Sequence, residues 1–375
     1  MTNWTPRAVC VRVPATSANL GPGYDALGLA LRRYDEVIAE ITDFPLTIQV
    51  SGHGEAAAGA GEKHLVVRAM RAAFAAAGTG QPPGLALRCV NAIPQGRGLG
   101  SSAGAVVAGV LAARALATPE HTTPQPATPG APTPAANPPA ANPVPPGPGA
   151  PTPASNPPAA NLPAPGPATP AEAAGVRFAD AWALGLASEL EGHPDNAAAC
   201  LAGGLTIAWT PEGGDRPRAV RLEPVTGLTP VVCVPTFELA TEQARRALPR
   251  AVPHRDAAAS AGRAALLVAA LTQAPELLFD ATRDLLHEPY RAPLMPGTAK
   301  VIRLLREAGI PAVLSGAGPA VLALTMAGQT PGAAEVDSIV RQAGNEWHIS
   351  PLDVDRQGAA IHPVPPGAHT LSSAR

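Results

Sequence analysis

The segment from about Thr118 to Pro170 is the strongest constraint on how this chain folds. It consists almost entirely of Pro, Ala, Thr, Asn and Gly and holds 20 of the 46 prolines in the 375-residue sequence. Proline lacks a backbone N–H and fixes φ, so neither a helix nor a central strand can form here. The unit APTPAANPPAAN at 131–142 recurs with one change at 150–161. Because this repeat lacks bulky apolar side chains, we predict a disordered, polyproline-like insertion at 118–170.

Helical patterns flank the insertion at 104–118 and 171–192. Without the insertion they would connect through an ordinary short turn, so it interrupts no domain. The alternative function for the insertion is partner docking, because PxxP segments bind aromatic grooves. It has almost no flanking charge to make such docking specific.

Composition excludes several classes of protein. The net charge of -2 and the 3% aromatic content do not support a nucleic-acid surface. The cysteines are scattered and typical of buried thiols in a reducing cytoplasm. The N-terminus has no signal-peptide pattern, and the longest apolar helical stretch, 264–274, is shorter than the roughly 20 residues that span a bilayer. We therefore expect a cytoplasmic protein without membrane spans that acts on small charged metabolites.

Hydrophobic periodicity indicates an α+β fold. In the first half, a helical pattern covers 64–78, and strand patterns cover 8–13, 36–41, 46–52 and 84–90. Later strand patterns cover 203–209, 218–224 and 230–235, followed by helical patterns near 239–249, 256–273, 276–287 and 297–308 and a strand, turn and strand over 312–325. We predict an N-terminal domain over 1–210 and a C-terminal domain over 211–375.

The stretch IPQGRGLGSSAG at 93–104 places glycines between a predicted strand and a helix that opens at Ser101. Free backbone N–H groups at a helix N-terminus form a ready phosphate site, and glycines let the backbone approach the ligand closely. The loop is not a Walker A motif, because no Gly-Lys-Ser/Thr follows. GLGSSA matches a dinucleotide fingerprint, but the expected acidic residue falls at Glu120 in the proline tract. A glycine turn that only permits helix–sheet packing is the structural alternative.

Two further glycine loops and a polar helix start accompany this loop. The first loop follows the first strand and ends in Asp25, and the other is SGAGP at 315–319. In EGHPDN, Pro194 is predicted at the first helical position, with Asp195 and Asn196 in the first turn. We predict that these distant segments assemble one site.

Four stretches in this order resemble the GHMP small-molecule kinase superfamily: PATSANLGPGYDALGLAL, PQGRGLGSSAG, LEGHPDNAAACLAGG and SGAGPAVLAL. The first and third resemble its homoserine kinase family. The resemblance implies ATP-dependent phosphorylation of the L-homoserine hydroxyl, in threonine biosynthesis. It also implies an N-terminal domain like ribosomal protein S5, with a left-handed crossover, a C-terminal ferredoxin-like domain and a homodimer.

The resemblance implies a nucleotide loop formed by Pro94, Gln95, Gly96, Arg97, Gly98, Leu99, Gly100, Ser101 and Ser102. Ser102 and Glu191 are then the expected Mg²⁺ ligands, because a hard cation that bridges phosphates takes oxygen ligands. Glu189 is the alternative, and on a helix the two carboxylates point about 200° apart, so only one can face the loop. An exposed helix carboxylate is the structural alternative for Glu191.

For the amino acid, the resemblance offers Arg245 and Arg291 as guanidinium partners of the carboxylate. Thr241 lies one turn before Arg245 on the same helix face, whereas Arg246 is expected in solvent. Asn19, Asp25 and His193 match positions that hold the amino and hydroxyl ends. An Asx turn at Asp25 and a helix-start hydrogen bond at His193 are the structural alternatives.

The catalytic base is the open point. Mevalonate kinases place a base-like Asp where this chain has Asn196, and an amide cannot take the proton, so Asn196 can only orient the hydroxyl. We hypothesise that no strong general base exists and that the proton passes late to the phosphate or to Asp25. The competing functions are a kinase of the same fold acting on mevalonate or a sugar alcohol, a catalytically inactive nucleotide sensor, and a scaffold that presents the proline tract.

Overall fold

The computed structural model describes residue 4, residues 7–117, 177–344 and 347–362, and residue 364. The predicted insertion at 118–170 lies outside these residues. All the described residues belong to one compact unit. Among them, no helix is long and apolar enough to cross a membrane.

The described chain contains both strands and helices. The strands are β1 Arg7–Ala18, β2 Leu27–Thr42, β3 Thr47–Gly52, β4 Gly84–Asn91, β5 Arg177–Phe178, β6 Leu205–Trp209, β7 Arg218–Leu222, β8 Leu228–Pro235, β9 Ala312–Leu314, β10 Val321–Met326, β11 Trp347–Pro351 and β12 Ala360–His362. The helices are α1 Leu65–Ala76, α2 Ser101–Ala117, α3 Ala181–Glu191, α4 Asp195–Ala202, α5 Thr241–Arg246, α6 His254–Thr272, α7 Leu278–Ala281, α8 Glu288–Arg291, α9 Pro296–Glu307 and α10 Ala333–Ala343. Short 3₁₀ helices cover Glu55–Lys63, Pro275–Leu277 and Ala292–Leu294.

The larger sheet has eight strands in the order β12-β1-β2-β6-β7-β5, and β4 also pairs with β2. The long β2 makes this branching possible, because its first residues pair with β6 and its last residues pair with β4. β3 and β4 run parallel, whereas β1 and β2 are antiparallel with an irregularity at Pro14/Ala15. The loop after β1 is thereby fixed beside the β6 end of β2.

The smaller sheet is antiparallel and has the order β11-β8-β10-β9. Its central strands β8 and β10 are almost wholly buried, as their unbroken apolar runs predict. Helices α9 and α10 pack against this sheet through a cluster that includes Val301, Leu305, Val336 and Val340. The β9–β10 connection carries the glycine loop 315–319.

Small residues allow α1 and α2 to pack closely beneath the larger sheet. A Cβ on Gly109 would lie 2.6 Å from the carbonyl oxygen of Val66 and 2.7 Å from the Cβ of Ala69. Eleven of the 17 residues of α2 are buried, which explains its alanine-rich, almost uncharged sequence. This packing fixes the N-terminus of α2, where the predicted phosphate loop ends.

Several predicted elements differ from the structure. The helix predicted near 276–287 stops at Ala281, because the Asp284 carboxylate accepts the backbone N–H groups of Leu286, His287 and Glu288 and starts α8 instead. In place of one helix over 171–192, the described part contains β5 and α3. Pro194 precedes the first residue of α4 rather than occupying it. Helix α10 and strands β11 and β12 were not predicted.

The strands do not divide at residue 210. β7 pairs with β6, and β12 returns to pair with β1, so the larger sheet contains strands from both predicted domains. The division into domains over 1–210 and 211–375 stays a prediction. The pairing of strands in the larger sheet crosses that boundary.

Candidate active site

Three glycine loops meet at one cleft. The Ser315 hydroxyl donates to the Gly98 carbonyl at 2.7 Å, and the Gly316 N–H donates to the Ala18 carbonyl at 3.1 Å. The Thr16 N–H donates to the Leu99 carbonyl at 3.1 Å. Segments that lie more than 200 residues apart in the sequence are therefore hydrogen-bonded to each other, as the sequence analysis predicted.

The phosphate loop ends where α2 begins, in very close contact with β1. Gly100 has φ +68°, and a Cβ at this position would lie 1.9 Å from the Thr16 hydroxyl oxygen. Only glycine allows this approach. The following residues, Ser101 and Ser102, start the helix, so their N–H groups are among those without a partner inside the helix. The helix N-terminus thus offers donors and a positive dipole end to an anion.

Ser102 and Glu191 are direct partners. The Ser102 hydroxyl donates to Glu191 Oε1 at 2.7 Å across 89 residues of sequence. Burial raises the pKa of the Glu191 carboxyl, and the Ser102 hydrogen bond opposes this shift. Glu189 is exposed and lines a different cavity. Of the two carboxylates weighed from the sequence, Glu191 is therefore the one beside the phosphate loop.

The start of α4 presents a connected polar group. Asp195 is buried, and its Oδ1 accepts the Asn196 N–H at 2.7 Å and lies 2.8 Å from His193 Nδ1. This hydrogen bond to Asp195 raises the pKa of His193. The Thr16 hydroxyl donates to Asn196 Oδ1 at 2.8 Å, so the amide nitrogen is the group that Asn196 can offer to a ligand.

Arg245 and Asp25 form a two-pronged ion pair. Nη2 of Arg245 lies 2.9 Å from Oδ1 of Asp25, and Nη1 lies 3.2 Å from Oδ2 and 3.2 Å from the Tyr24 hydroxyl. Asp25 has φ +54°. The sequence analysis placed these two residues at opposite ends of a ligand, whereas the structure brings them into contact, because the guanidinium fork matches the geometry of a carboxylate. Arg246 is exposed and paired with Glu242, as expected.

Arg291 is buried and lines the same cleft. Its Nε donates to the Ala244 carbonyl at 3.3 Å, and its Nη1 donates to the Gly316 carbonyl at 3.3 Å. Asn19 also donates to the Gly316 carbonyl, at 2.8 Å, and its Oδ1 accepts the Asp25 N–H at 2.9 Å. Asn19 therefore joins the glycine loop after β1 to the glycine loop at 315–319.

One cavity of about 280 Å³ brings together nearly all the predicted site residues. Those that line it are Asn19, Asp25, Pro94, Gly96, Arg97, Gly98, Leu99, Gly100, Ser101, Ser102, Glu191, His193, Asn196, Thr241, Arg245 and Arg291. Gln95 instead lines an adjoining cavity. The Arg97 side chain, although at the cleft, donates to the carbonyls of Pro235 and Thr236 and therefore holds the end of β8.

A second cavity beside the cleft was not predicted from the sequence. The adjoining cavity, of about 340 Å³, shares Gly96, Ser101 and Ser102 with the cleft and has apolar walls that include Val37 and Val66. These valines sit in regular strand and helix patterns, which gave no sign of a ligand. Thr16 was also given no role. It lies in the stretch that the sequence analysis placed after the first strand, whereas the structure extends β1 to Ala18 and includes Thr16.

The fold and the cleft define a kinase of the GHMP type. The chain matches the family models for the GHMP kinases N terminal domain over residues 64–127 and for the GHMP kinases C terminal domain over residues 260–349. Its fold is similar to that of a homoserine kinase from Cytophaga hutchinsonii, with a TM-score of 0.68 and 23% identity over 96% of this chain and 99% of that one. It is also similar to a mevalonate diphosphate decarboxylase from Staphylococcus aureus, with a TM-score of 0.59 and 14% identity over 96% and 99% of the chains. The predicted α+β, two-domain GHMP fold class is thereby confirmed.

Sequence relatives identify the branch of this superfamily. A homoserine kinase from Streptomyces coelicolor is 44% identical over 97% of both chains, and one from Streptomyces avermitilis is 46% identical over 95% of this chain and 96% of the relative. One from Mycobacterium tuberculosis is 41% identical over 91% and 90%. The chain belongs to the homoserine kinase family.

Proposed function

We propose that the chain transfers the γ-phosphoryl group of ATP to the side-chain hydroxyl of L-homoserine and forms O-phospho-L-homoserine. The observation that carries this proposal is the cleft itself, in which a helix-start phosphate loop faces two arginines and a cluster of hydroxyl-binding polar groups. Family membership supports the same reaction.

The nucleotide fits the two adjoining cavities. Its phosphates would lie on the backbone N–H groups between Gly96 and Ser102, which the dipole of α2 supports. Its base and ribose would occupy the cavity lined by Val37 and Val66, because that cavity is largely apolar and shares its edge with the loop. Arg97 would stabilise the loop by donating to the backbone carbonyls at the end of β8, and it would not contact phosphate.

Ser102 and Glu191 provide a hydroxyl and a carboxylate beside the phosphate position, and this hard oxygen pair fits Mg²⁺. Among the described residues, no group of three or more His, Cys, Asp and Glu side chains could hold a metal ion. An Mg²⁺ ion bound here would have one or two protein ligands, with phosphate and water completing its shell. When bound, Mg²⁺ neutralises charge on the transferring phosphoryl group.

The amino acid would lie between the arginines and α4. We propose that its carboxylate contacts Arg245 and Arg291, with Thr241 at the same edge, and that its ammonium group contacts Asp25. The ion pair between Asp25 and Arg245 then opens when the amino acid binds. The ammonium group replaces Arg245 as the partner of Asp25, and the carboxylate replaces Asp25 as the partner of Arg245. His193 and the amide nitrogen of Asn196 would orient the hydroxyl.

No strong general base is required in this arrangement. Asn196 is an amide whose oxygen already accepts from Thr16. Burial of Asp195 and its bonds to His193 and to the Asn196 N–H support a positioning role for it. Phosphoryl transfer through a loose transition state depends mainly on alignment and charge neutralisation. The proton therefore passes late, to the phosphate or to Asp25.

The test is ADP release with a panel of acceptors, namely L-homoserine, mevalonate and sugar alcohols. We expect turnover with homoserine only, and an Arg245→Ala variant with a KM for homoserine raised about tenfold or more, since a hydrogen bond to a charged group is lost. Arg246→Ala is the matched control and should leave KM unchanged, because Arg246 is exposed and paired with Glu242. Turnover with mevalonate or a sugar alcohol alone, or ATP binding without turnover, would refute the proposal. The predicted homodimer and cytoplasmic location stay predictions.

A further inference from the structure

His287 is a wholly buried histidine that directly joins two parts of the cleft. Its Nε2 lies 2.9 Å from the Gly21 carbonyl oxygen in the first glycine loop, and its Nδ1 lies 3.1 Å from Nη1 of Arg291. The ring also lies 5.2 Å from the Tyr24 ring, between centroids. None of the roles assigned above uses this residue.

The two partners of His287 fix its protonation state. A backbone carbonyl only accepts, so Nε2 must carry the hydrogen that is donated to Gly21. A guanidinium only donates, so Nδ1 must be the unprotonated nitrogen that accepts from Arg291. Both bonds form together only in the neutral imidazole with its hydrogen on Nε2.

The charged groups that influence the pKa of His287 are Asp284, Arg291 and Asp25. Asp284 lies 3.6 Å from Nε2, but it also accepts three backbone N–H groups at the start of α8. The charge of Arg291 lowers the pKa of His287, and the charge of Asp25 raises it. Burial is the largest influence on the pKa of His287 and lowers it, in the same direction as the neutral form that the two hydrogen bonds require.

We infer that His287 is a positioning residue for Arg291: its neutral Nδ1 accepts from Nη1 and holds the guanidinium in the direction that binds the carboxylate of the amino-acid substrate. The inference rests on the proposed function. Arg291 donates three hydrogen bonds within the protein, and those to Ala244 and Gly316 go to backbone carbonyls at 3.3 Å. The bond to His287 is the shortest of the three and connects Arg291 with the first glycine loop.

Two substitutions separate the two bonds of His287. His287→Asn places an amide oxygen near the position of Nδ1 and retains the acceptor for Arg291. His287→Gln places an amide N–H near Nε2 and retains the donor to Gly21. We expect KM for homoserine to rise about tenfold in His287→Gln, with kcat and KM for ATP within about threefold of the wild type, and to change less than threefold in His287→Asn.

The pH dependence of the wild type gives a second readout that needs no variant. Homoserine itself does not titrate between pH 5 and 7, so protonation of His287 should raise KM for homoserine below the ordinary histidine pKa of about 6.5. This rise should be smaller in His287→Asn, because Asn cannot titrate, and any rise that remains belongs to His193, which is present in both proteins. Thermal unfolding of each variant shows whether it is folded at the assay temperature.

The outcomes separate the inference from the proposed function. If the wild type does not phosphorylate homoserine, the proposed function fails. If the wild type is active and KM is equal in the Asn and Gln variants, or the low-pH rise is as large in His287→Asn as in the wild type, the inference alone is overturned. Should His287→Gln fail to fold, the comparison of wild type with His287→Asn over pH decides the matter in the same way.

Discussion

Gly98 provides the sharpest test of how the glycine loops are joined. A Cβ at Gly98 would lie 2.1 Å from the Ser315 carbonyl oxygen, so Gly98→Ala must separate the two loops by about 1 Å to reach a normal contact. The residue also has φ +79°, which costs a non-glycine residue about 1 to 2 kcal/mol. Overpacking adds about 1 to 3 kcal/mol. We expect the free energy of unfolding to fall by about 2 to 5 kcal/mol.

Gly309→Ala is a matched control. Gly309 also has φ +79°, but no atom lies within 4 Å of the position of its Cβ. It should therefore lose only the backbone contribution, about 1 to 2 kcal/mol. Urea unfolding measures both losses, and ADP release should show kcat reduced about a hundredfold in Gly98→Ala alone, because a shift of about 1 Å misaligns the reacting groups. Equal losses of stability, together with full activity in Gly98→Ala, would refute this account of the loop contact.

Three further predictions concern the polar residues of the cleft. Glu191→Gln should lower kcat at least tenfold at limiting Mg²⁺, by analogy with other charge-assisted contacts, whereas the exposed Glu189→Gln should be silent in the same titration. Asn196→Asp should not increase turnover in the ADP assay, because it replaces the amide N–H donor with a second carboxylate next to Asp195; a large increase at unchanged KM would contradict the absence of a strong base. The pKa of His193 is raised in the folded protein, so protonated His193 stabilises the fold. This stabilisation is fully present below about pH 6.5, the pKa in the unfolded chain, and is lost as the pH rises through the pKa in the folded protein. His193→Gln should therefore cost more stability at pH 6 than at pH 9 by urea unfolding, and an equal cost at both would contradict the shift.

Local sequence was sufficient for the parts of the site that depend on backbone chemistry. The glycines before Ser101 predicted a loop that ends at a helix N-terminus, and that helix begins at Ser101. The opposite directions of Glu189 and Glu191 followed from helical geometry alone. In both cases the determining interactions lie within a few residues of each other.

The contacts between distant segments could not be predicted in this way. Asp25 and Arg245 are 220 residues apart, and nothing in either segment specifies that their side chains pair. Thr16 and Asn196 are 180 residues apart, and neither stretch specifies that the Thr16 hydroxyl donates to Asn196. The family resemblance assigned roles to individual residues without showing that several of them bond each other.

The break after Ala281 illustrates a competition that periodicity does not detect. Apolar spacing continues through 276–287, but Asp284 takes three backbone N–H groups and redirects the chain. This redirection places His287 and Arg291 at the cleft. The failed helix prediction and the position of the arginine thus have the same cause.

The return of β12 to β1, with the pairing of β7 to β6, determines how the polypeptide can be divided experimentally. A cut near residue 210 would expose hydrogen-bonding edges on both fragments, and such edges recruit other chains. Neither fragment is expected to be soluble when expressed alone. Coexpressed fragments can reassemble through the same strands, which makes this connection suited to a split-protein complementation experiment.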